Sequence, residues 1–443
     1  MKTIELFEWE KGTAKSTFSD SELRTLKKFN DCIRRKEKSD AITVTYGRIF
    51  TYSHVGIIQI GKKRIEILPK LYNPDLQKSD KNPDEQVQKN LKTIARKNLF
   101  HLLSVAGLIP FYKSGVSPYG KEKDFFEFLI SLFLQDLENV MGSHFHHEYI
   151  QRSDDIGTIK GKLNYQKQVV KLPSQLHTFS CQFDEFSIDN PLNRIIKATL
   201  KKIQELCRNE ENKKRAFNFY ALMSEIQDEV ISPSSISGLH FSRLNEKYEN
   251  IVEFCHMILF GSTYSADEGA QHYYALVFDM NLVFERFVVK LLRTSLPEYV
   301  FNCQNEINLA SDPLGLNEFR RNIKKIIPDI IVKRDKESLA IIDTKYKPDF
   351  SKGYISSADT FQMMAYCVAN ESDTAILLYP KIPGYDEQPG REHWIPLDKL
   401  QKDRKSDRTV RICAKTIQMF NSQGGILKKM DPKDSEDLTG LLS

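Results

Sequence analysis

The segment from Ile326 to Lys345, IIPDIIVKRDKESLAIIDTK, contains two short apolar stretches joined by a polar connection. Apolar runs of about four to eight residues bounded by polar turns are typical of buried β-strands. The connection from Lys333 to Ser338 is short, so the segment is predicted to form a hairpin. With Lys336 at the centre of that hairpin, Asp329 of the first strand lies directly opposite Asp343 of the second.

The two opposed carboxylates are the feature of this hairpin that suggests a metal-binding site. Directly opposed residues have Cβ atoms roughly 4.5–5.5 Å apart, and like charges at that distance are destabilising. A divalent cation between Asp329 and Asp343 removes the repulsion, and carboxylate oxygens suit Mg²⁺ or Mn²⁺. Lys345 lies two residues after Asp343 and therefore on the same face of the strand. The alternative is that Asp329 is a charge at a strand edge and that Lys345 only extends its ammonium to solvent.

Three residues on predicted helices extend the candidate site. Glu285 lies in a helix that precedes the hairpin and could supply a third carboxylate to the metal, although an exposed helix glutamate is the alternative. Gln362 and Tyr366 lie four residues apart on the following helix and therefore share one face, from which they could brace the site or contact DNA. A serine cap at Ser356 or Ser357 would place the positive end of that helix nearby.

The net charge of +5 permits binding to nucleic acid without requiring it. The basic clusters at Lys62–Arg64 and at Lys160 with Lys162 are each more often a solvated surface than a phosphate contact. Basic residues next to the candidate site are the better candidates for contacts with DNA. These residues are Arg320, Arg321, Lys324, Lys325 and Lys347.

The composition excludes several classes of protein. Hydrophobic residues make up 40% of the chain and charged residues 28%, as is usual for globular proteins. No apolar run is long enough to span a bilayer, and the N-terminus lacks the apolar core of a signal peptide, so we expect a cytoplasmic protein without membrane association. The seven cysteines are scattered without a CxxC pair. This spacing argues against a zinc ribbon, an iron–sulfur cluster and a disulfide framework.

The length of 443 residues favours two or three domains. We predict an α+β multidomain protein with a β-rich N-terminal region (1–80), a mainly helical middle region (85–264) and a C-terminal α/β domain (265–443). The expected elements are a hairpin over 55–68, helices over 91–108, 125–141, 191–207, 274–292 and 357–370, and strands over 326–332, 339–344 and 374–379. The charged tail after Gly424 is expected to be loosely held.

The candidate residues together resemble the PD-(D/E)xK nuclease superfamily, and the RecB-like branch has the most similar pattern. These residues are Asp329, Asp343, Lys345, Glu285, Gln362 and Tyr366. Further segments resemble the McrC family of nuclease subunits. They are Ile65–Leu71, Asp184–Asp189 with Asn193 and Arg194, and Met280–Glu285, and with the hairpin they span most of the chain in the expected order.

The resemblance implies a fold, an activity and a partner. The C-terminal domain would be a PD-(D/E)xK restriction-endonuclease-like α/β domain with a mixed central sheet. The chain would cut DNA with Mg²⁺ as part of a methylcytosine-dependent restriction system. It would dock through its N-terminal part on a hexamer of an McrB-like AAA+ GTPase and stimulate that motor. The nearest match to a P-loop, Gly157–Leu163, has the wrong spacing, so the motor must come from the partner.

Two other functions remain open from the sequence. The chain could be a RecB-like nuclease of another repair or defence complex, or a non-catalytic adaptor that only stimulates a motor. The intact carboxylates and Lys345 argue against the adaptor. For His144, His146 and His147 a surface cluster is favoured over a metal site, because no further ligand completes one. Capping and salt-bridge roles explain Asp184, Asp189, Asn193 and Arg194.

Overall fold

The computed structural model describes residues 3–13, 18–46, 48–70, 85–109, 124–142, 145–261, 273–303, 307–308, 325–335, 337–347, 355–381, 392–396, 409–420 and 426–442. The chain forms two compact units: Met1–Gly115 with Ala266–Ser443, and Val116–Ser265. Helices and mixed sheets occur throughout the described residues, which confirms the predicted α+β class. The division into three domains stays a prediction. No helix among the described residues is long and apolar enough to cross a membrane.

The N-terminal part of the first unit is rich in strands. The predicted hairpin is confirmed, with Ile60 opposite Lys63 across a turn at Gly61. The first strand of the chain joins this hairpin in parallel and places Glu5 opposite Glu66. The elements are β1 (Thr3–Phe7), β2 (Lys11–Thr13), α1 (Asp20–Glu37), β3 (Ile42–Thr45), β4 (Arg48–Thr51), β5 (His54–Ile60), β6 (Lys63–Leu68) and α2 (Glu85–Val105).

The second unit is mainly helical, and it also contains a three-stranded sheet. Its elements are α3 (Phe125–Met141), β7 (Glu148–Ile156), β8 (Lys162–Leu163), α4 (Tyr165–Val169), β9 (Phe179–Ser187), α5 (Pro191–Leu206), α6 (Glu210–Leu222), α7 (Pro233–Ser237) and α8 (Glu249–Phe260). The sequence analysis missed β7, because most of its residues are polar and exposed and no apolar alternation marks it. Backbone pairing with β9 along its whole length defines this strand.

The C-terminal part of the first unit contains a six-stranded mixed sheet of order β11-β14-β15-β16-β18-β17. Its elements are β10 (Tyr273–Asp279), α9 (Met280–Ser295), β11 (Val300–Cys303), β12 (Ile307–Asn308), β13 (Lys325–Ile326), β14 (Ile330–Arg334), β15 (Glu337–Thr344), α10 (Ser357–Asn370), β16 (Thr374–Pro380), β17 (Glu392–Pro396), β18 (Thr409–Ile417) and α11 (Pro432–Leu442). The predicted bounds of α10 are confirmed, and Ser356 is its cap.

Two predictions for this part were wrong. The helix predicted over 274–292 begins only at Met280, because the preceding residues form β10, which pairs with β5. Asp279 ends that strand and caps α9 through the backbone N–H of Asn281. The tail is also held more firmly than expected: α11 buries Leu438 and Leu442. In both cases packing against distant residues decides the local structure.

Helices position the edge of the six-stranded sheet at which the candidate residues lie. Helix α10 packs on β15, β16 and β18, and its Met363 and Tyr366 join a buried cluster with Ile341 and Leu377. Helix α9 packs against β11 and β15. The ends of β14 and β15 are therefore held between rigid elements.

Candidate functional site

The structure places Asp329 opposite Asp343. Ile330 pairs with Ile342, so the next position along the ladder brings the two aspartates together. The connection at the tip of the hairpin is one residue shorter than predicted, because Arg334 pairs with Glu337. A bulge after Val332 restores the predicted register at the site.

Each aspartate keeps one oxygen without an aligned hydrogen bond from the described residues. Oδ2 of Asp329 accepts hydrogen bonds from the backbone N–H and the hydroxyl of Thr344, both at 2.7 Å, and no bond to its Oδ1 is seen. Asp343 is only 2% exposed, and its Oδ2 accepts no aligned bond although it lies 2.6 Å from Nζ of Lys345. Burial, followed by the charge of Asp329, raises the pKa of Asp343 to about 6.

Lys345 is held at the centre of a group of acceptors. Its ammonium lies 2.6 Å from Asp343 and 3.8 Å from Asp359, and it donates to Oε1 of Gln362 at 3.1 Å. Burial lowers the pKa of Lys345, but the surrounding carboxylates, Asp343 first, outweigh burial and raise it overall. The side chain is therefore a fixed cation beside the two aspartates.

Gln362 and Tyr366 form the brace that their spacing predicts. Nε2 of Gln362 donates to the hydroxyl of Tyr366 at 2.8 Å, and that hydroxyl donates to the carbonyl oxygen of Ile327 at 3.1 Å. The chain of bonds runs from Lys345 through α10 to the backbone just before Asp329. It orients Lys345 and anchors the segment that carries Asp329.

Asp359 links the helix cap to the site and was not predicted from the sequence. Its carboxylate accepts from the hydroxyl of Ser356 at 2.7 Å and from Nζ of Lys347 at 3.1 Å. The pattern Ser-x-x-Asp at the start of α10 was the signal that could have found it, since such residues cap each other. Lys347 is exposed, and its charge is partly neutralised by Asp359.

Glu285 lies near the site, but its carboxylate does not form a close group with the carboxylates of both aspartates. Burial raises the pKa of the Cys303 thiol, and the carboxylates of Glu285 and Asp329 add to this shift. Both carboxylates are therefore close to Cys303, which pairs with Ile330. Among the described residues, however, the oxygens of Glu285, Asp329 and Asp343 do not all lie within 4.8 Å of one another.

The aspartates fit a hard divalent cation such as Mg²⁺. Both offer carboxylate oxygens, and each has an oxygen not engaged in an aligned hydrogen bond. Two opposed carboxylates at a partly buried sheet edge also carry an electrostatic cost that a cation relieves. Asp329 and Asp343 are the residues that would hold the metal, with Glu285 as the next carboxylate.

Of the five predicted DNA contacts, only Lys347 can be placed. Arg320, Arg321 and Lys324 lie outside the described residues, and so does the side chain of Lys325.

The basic hairpin is less exposed than its sequence suggests. Arg64 is buried and donates to Gln59, and Lys63 pairs with Glu22 at 2.6 Å. In the second unit, Arg194 pairs with Asp189 at 2.7 Å, which confirms the predicted salt bridge.

A buried hydrogen bond connects the N-terminal strands to the residue after Lys345. The hydroxyl of Tyr346 donates to Oε1 of Glu8 at 2.5 Å, and the backbone N–H of Lys70 donates to the same oxygen at 2.7 Å. Glu8 is fully buried, and its Oε2 has no hydrogen-bond partner. Burial raises the pKa of Glu8 to about 7.

This burial predicts that Glu8 makes stability depend on pH. Because the folded pKa of about 7 lies above the ordinary value of 4.5 for a glutamate, the contribution of Glu8 is fully present below about pH 4.5 and is lost as pH rises through 7. From the size of the shift, the loss is about 3 kcal/mol in the free energy of unfolding. Glu8→Gln should remove this dependence. The free energy of unfolding of the variant should therefore rise relative to that of the parent between about pH 5 and about pH 8.

Urea unfolding followed by tryptophan fluorescence tests the prediction, since both tryptophans, Trp9 and Trp394, belong to the first unit. The exposed Glu337→Gln is the control and should follow the parent at each pH. Parallel pH profiles of the parent and Glu8→Gln would contradict the prediction.

Known proteins share sequence or fold with this chain. The family model described as "McrBC 5-methylcytosine restriction system component" matches residues 50–380. The type IV methyl-directed restriction enzyme EcoKMcrBC of Escherichia coli is 23% identical over 254 residues, which are 53% of this chain and 71% of that protein. A solved assembly of Thermococcus gammatolerans McrB AAA+ hexamers with bound McrC contains a similar chain. That match has a TM-score of 0.69 and 20% identity and covers 99% of this chain and all of the other.

Proposed function

Because this chain belongs to the family of McrBC 5-methylcytosine restriction system components, we propose that it is the DNA-cutting subunit of such a system. The observation that carries the proposal is the pair of opposed aspartates, Asp329 and Asp343, with the ammonium of Lys345 beside them. A bound cation and a fixed positive charge close together favour hydrolysis of a phosphodiester, and the aspartate pair and Lys345 could supply both at this edge of the sheet. The C-terminal sheet would then be a PD-(D/E)xK nuclease domain.

Each of these residues has its own role in the proposed hydrolysis. Asp329 and Asp343 would hold Mg²⁺, which when bound would make a water molecule more acidic and stabilise charge on the scissile phosphate. Lys345 holds a positive charge beside Asp343 and would stabilise the negative charge of the transition state. Gln362 and Tyr366 hold Lys345 and the Asp329 backbone in position. Thr344 fixes the carboxylate of Asp329 through two hydrogen bonds.

The partner is proposed from the relative in the T. gammatolerans assembly. That structure contains McrB AAA+ hexamers with bound McrC, and the present chain shares the fold of a chain in it along almost its whole length. We propose that the chain docks on a hexamer of an McrB-like AAA+ GTPase, which would supply DNA translocation and recognition of the modified base. The sequence itself has no P-loop with the required spacing.

Reconstitution tests the function as a whole. The purified chain is combined with the AAA+ protein encoded beside it, Mg²⁺, GTP and a plasmid methylated at cytosine. We expect cleavage only when all components are present, and none on unmethylated plasmid. A rise in nucleotide hydrolysis by the partner without any cleavage would favour the adaptor, and cleavage that ignores methylation would favour a nuclease of another complex.

A further inference from the structure

Three side chains that could bind a metal meet in the first unit, and none of them belongs to the aspartate pair. They come from three elements: Glu37 ends α1, His54 begins β5 and Asp279 ends β10. His54 and Asp279 are directly opposite each other in the β5–β10 ladder. One ligand atom from each of the three side chains lies within 4.8 Å of the other two.

His54 is the buried member of this cluster. It is 1% exposed, and its Nε2 lies 2.7 Å from Oε2 of Glu37. Its other ring nitrogen, Nδ1, is buried without a hydrogen-bond partner. Nε2 is the ring nitrogen that faces Glu37, so it is the candidate ligand atom of His54, while the buried Nδ1 requires a water molecule or another outer-shell partner.

Asp279 also offers an oxygen to the cluster. Its Oδ1 accepts from the backbone N–H of Asn281 at 3.0 Å and from the amide of the same residue at 2.7 Å. No hydrogen bond to its Oδ2 is seen from the described residues. The carboxylates of Glu37 and Asp279 lie close enough to repel each other, and a cation would remove that repulsion.

We propose that Glu37, His54 and Asp279 bind a divalent transition metal, with Zn²⁺ as the best match. An imidazole with two carboxylates is a ligand set that suits zinc, and water can complete the coordination. The metal joins the end of α1 and the start of β5 to the start of α9, the helix that carries Glu285. Its role is structural, since it fixes α9 at the end nearest the N-terminal strands. The proposal does not depend on the proposed function.

Calorimetric titration of the metal-free full-length chain with Zn²⁺ tests the site. The titration is made on the Asp343→Asn variant, so that the aspartate pair does not contribute. We expect about one Zn²⁺ per chain, and a visible absorption band when Co²⁺ replaces Zn²⁺. His54→Gln and Asp279→Asn should each weaken binding by more than the roughly 10–100-fold typical of an outer-shell change.

Two controls separate a lost ligand from a lost fold. Asp279→Asn keeps a side chain that can cap α9, so the helix is retained while a carboxylate ligand is lost. His256→Gln removes an exposed histidine of α8 in the second unit and should leave binding unchanged. The far-UV circular dichroism of every variant should match the parent. Absence of Zn²⁺ binding by the folded parent would overturn the proposal. Ligand variants that bind Zn²⁺ as tightly as the parent would also overturn it.

Discussion

Asp343→Asn should lower DNA cleavage by about 10²–10³-fold, the range seen when one strong electrostatic contact to a transition state is lost. Asparagine has nearly the same shape, so the buried position stays filled, but it removes the charge that binds Mg²⁺ and pairs with Lys345. The substitution also ends the repulsion with Asp329, and Lys345 keeps Gln362 and Asp359 as neighbours, so the folded protein should lose little stability. Stimulation of the partner's nucleotide hydrolysis should remain, since this carboxylate is buried.

A control from the same hairpin makes the result specific. Asp335 lies exposed at the tip with a φ of 52°, a conformation that asparagine also tolerates. Asp335→Asn should therefore cleave like the parent. The measurement is the initial rate of plasmid linearisation with the partner, GTP and Mg²⁺. Equal rates for Asp343→Asn and Asp335→Asn would remove Asp343 from the mechanism and with it the site proposed here.

Arg96→Met should destabilise the first unit by about 3–5 kcal/mol, the cost of breaking a buried ion pair from one side. Glu5 and Glu66 are directly opposed on parallel strands, and Arg96 of α2 bonds both. Its guanidinium donates to Glu66 at 2.6 and 2.9 Å and also contacts Glu5. Glu66 is 1% exposed, so loss of the arginine leaves a buried carboxylate beside another carboxylate without the cation between them.

Lys92, one helical turn before Arg96, provides the matched control. It also pairs with Glu5, at 2.8 Å, but both side chains are partly exposed. Lys92→Met should cost no more than about 1 kcal/mol, as for other surface ion pairs. Urea unfolding followed by tryptophan fluorescence compares the two variants. Adding Glu66→Gln to Arg96→Met should recover part of the lost stability. A similar loss of stability for Arg96→Met and Lys92→Met would show that burial does not control the strength of this network.

The sequence predicted the core of the candidate site because that core is local. Two apolar strands joined by a short polar connection restrict the register to a few choices, and alternation places Asp343 and Lys345 on one face. The serine cap and the spacing of Gln362 and Tyr366 likewise depend on residues a few positions apart. Such patterns need no knowledge of distant contacts, so the hairpin and α10 match their predictions.

Tertiary structure alone decided the features that join distant segments. The residues before Met280 form a strand because β5, more than two hundred residues earlier, offers an edge to pair with, whereas their apolar pattern also suits a helix. The bond between Glu8 and Tyr346 and the cluster of Glu37, His54 and Asp279 have no local signature at all. The sequence by itself therefore determined the opposed carboxylates and the braced lysine, since these follow from period and spacing. The fold determined which buried groups face each other, since that depends on how separate segments pack.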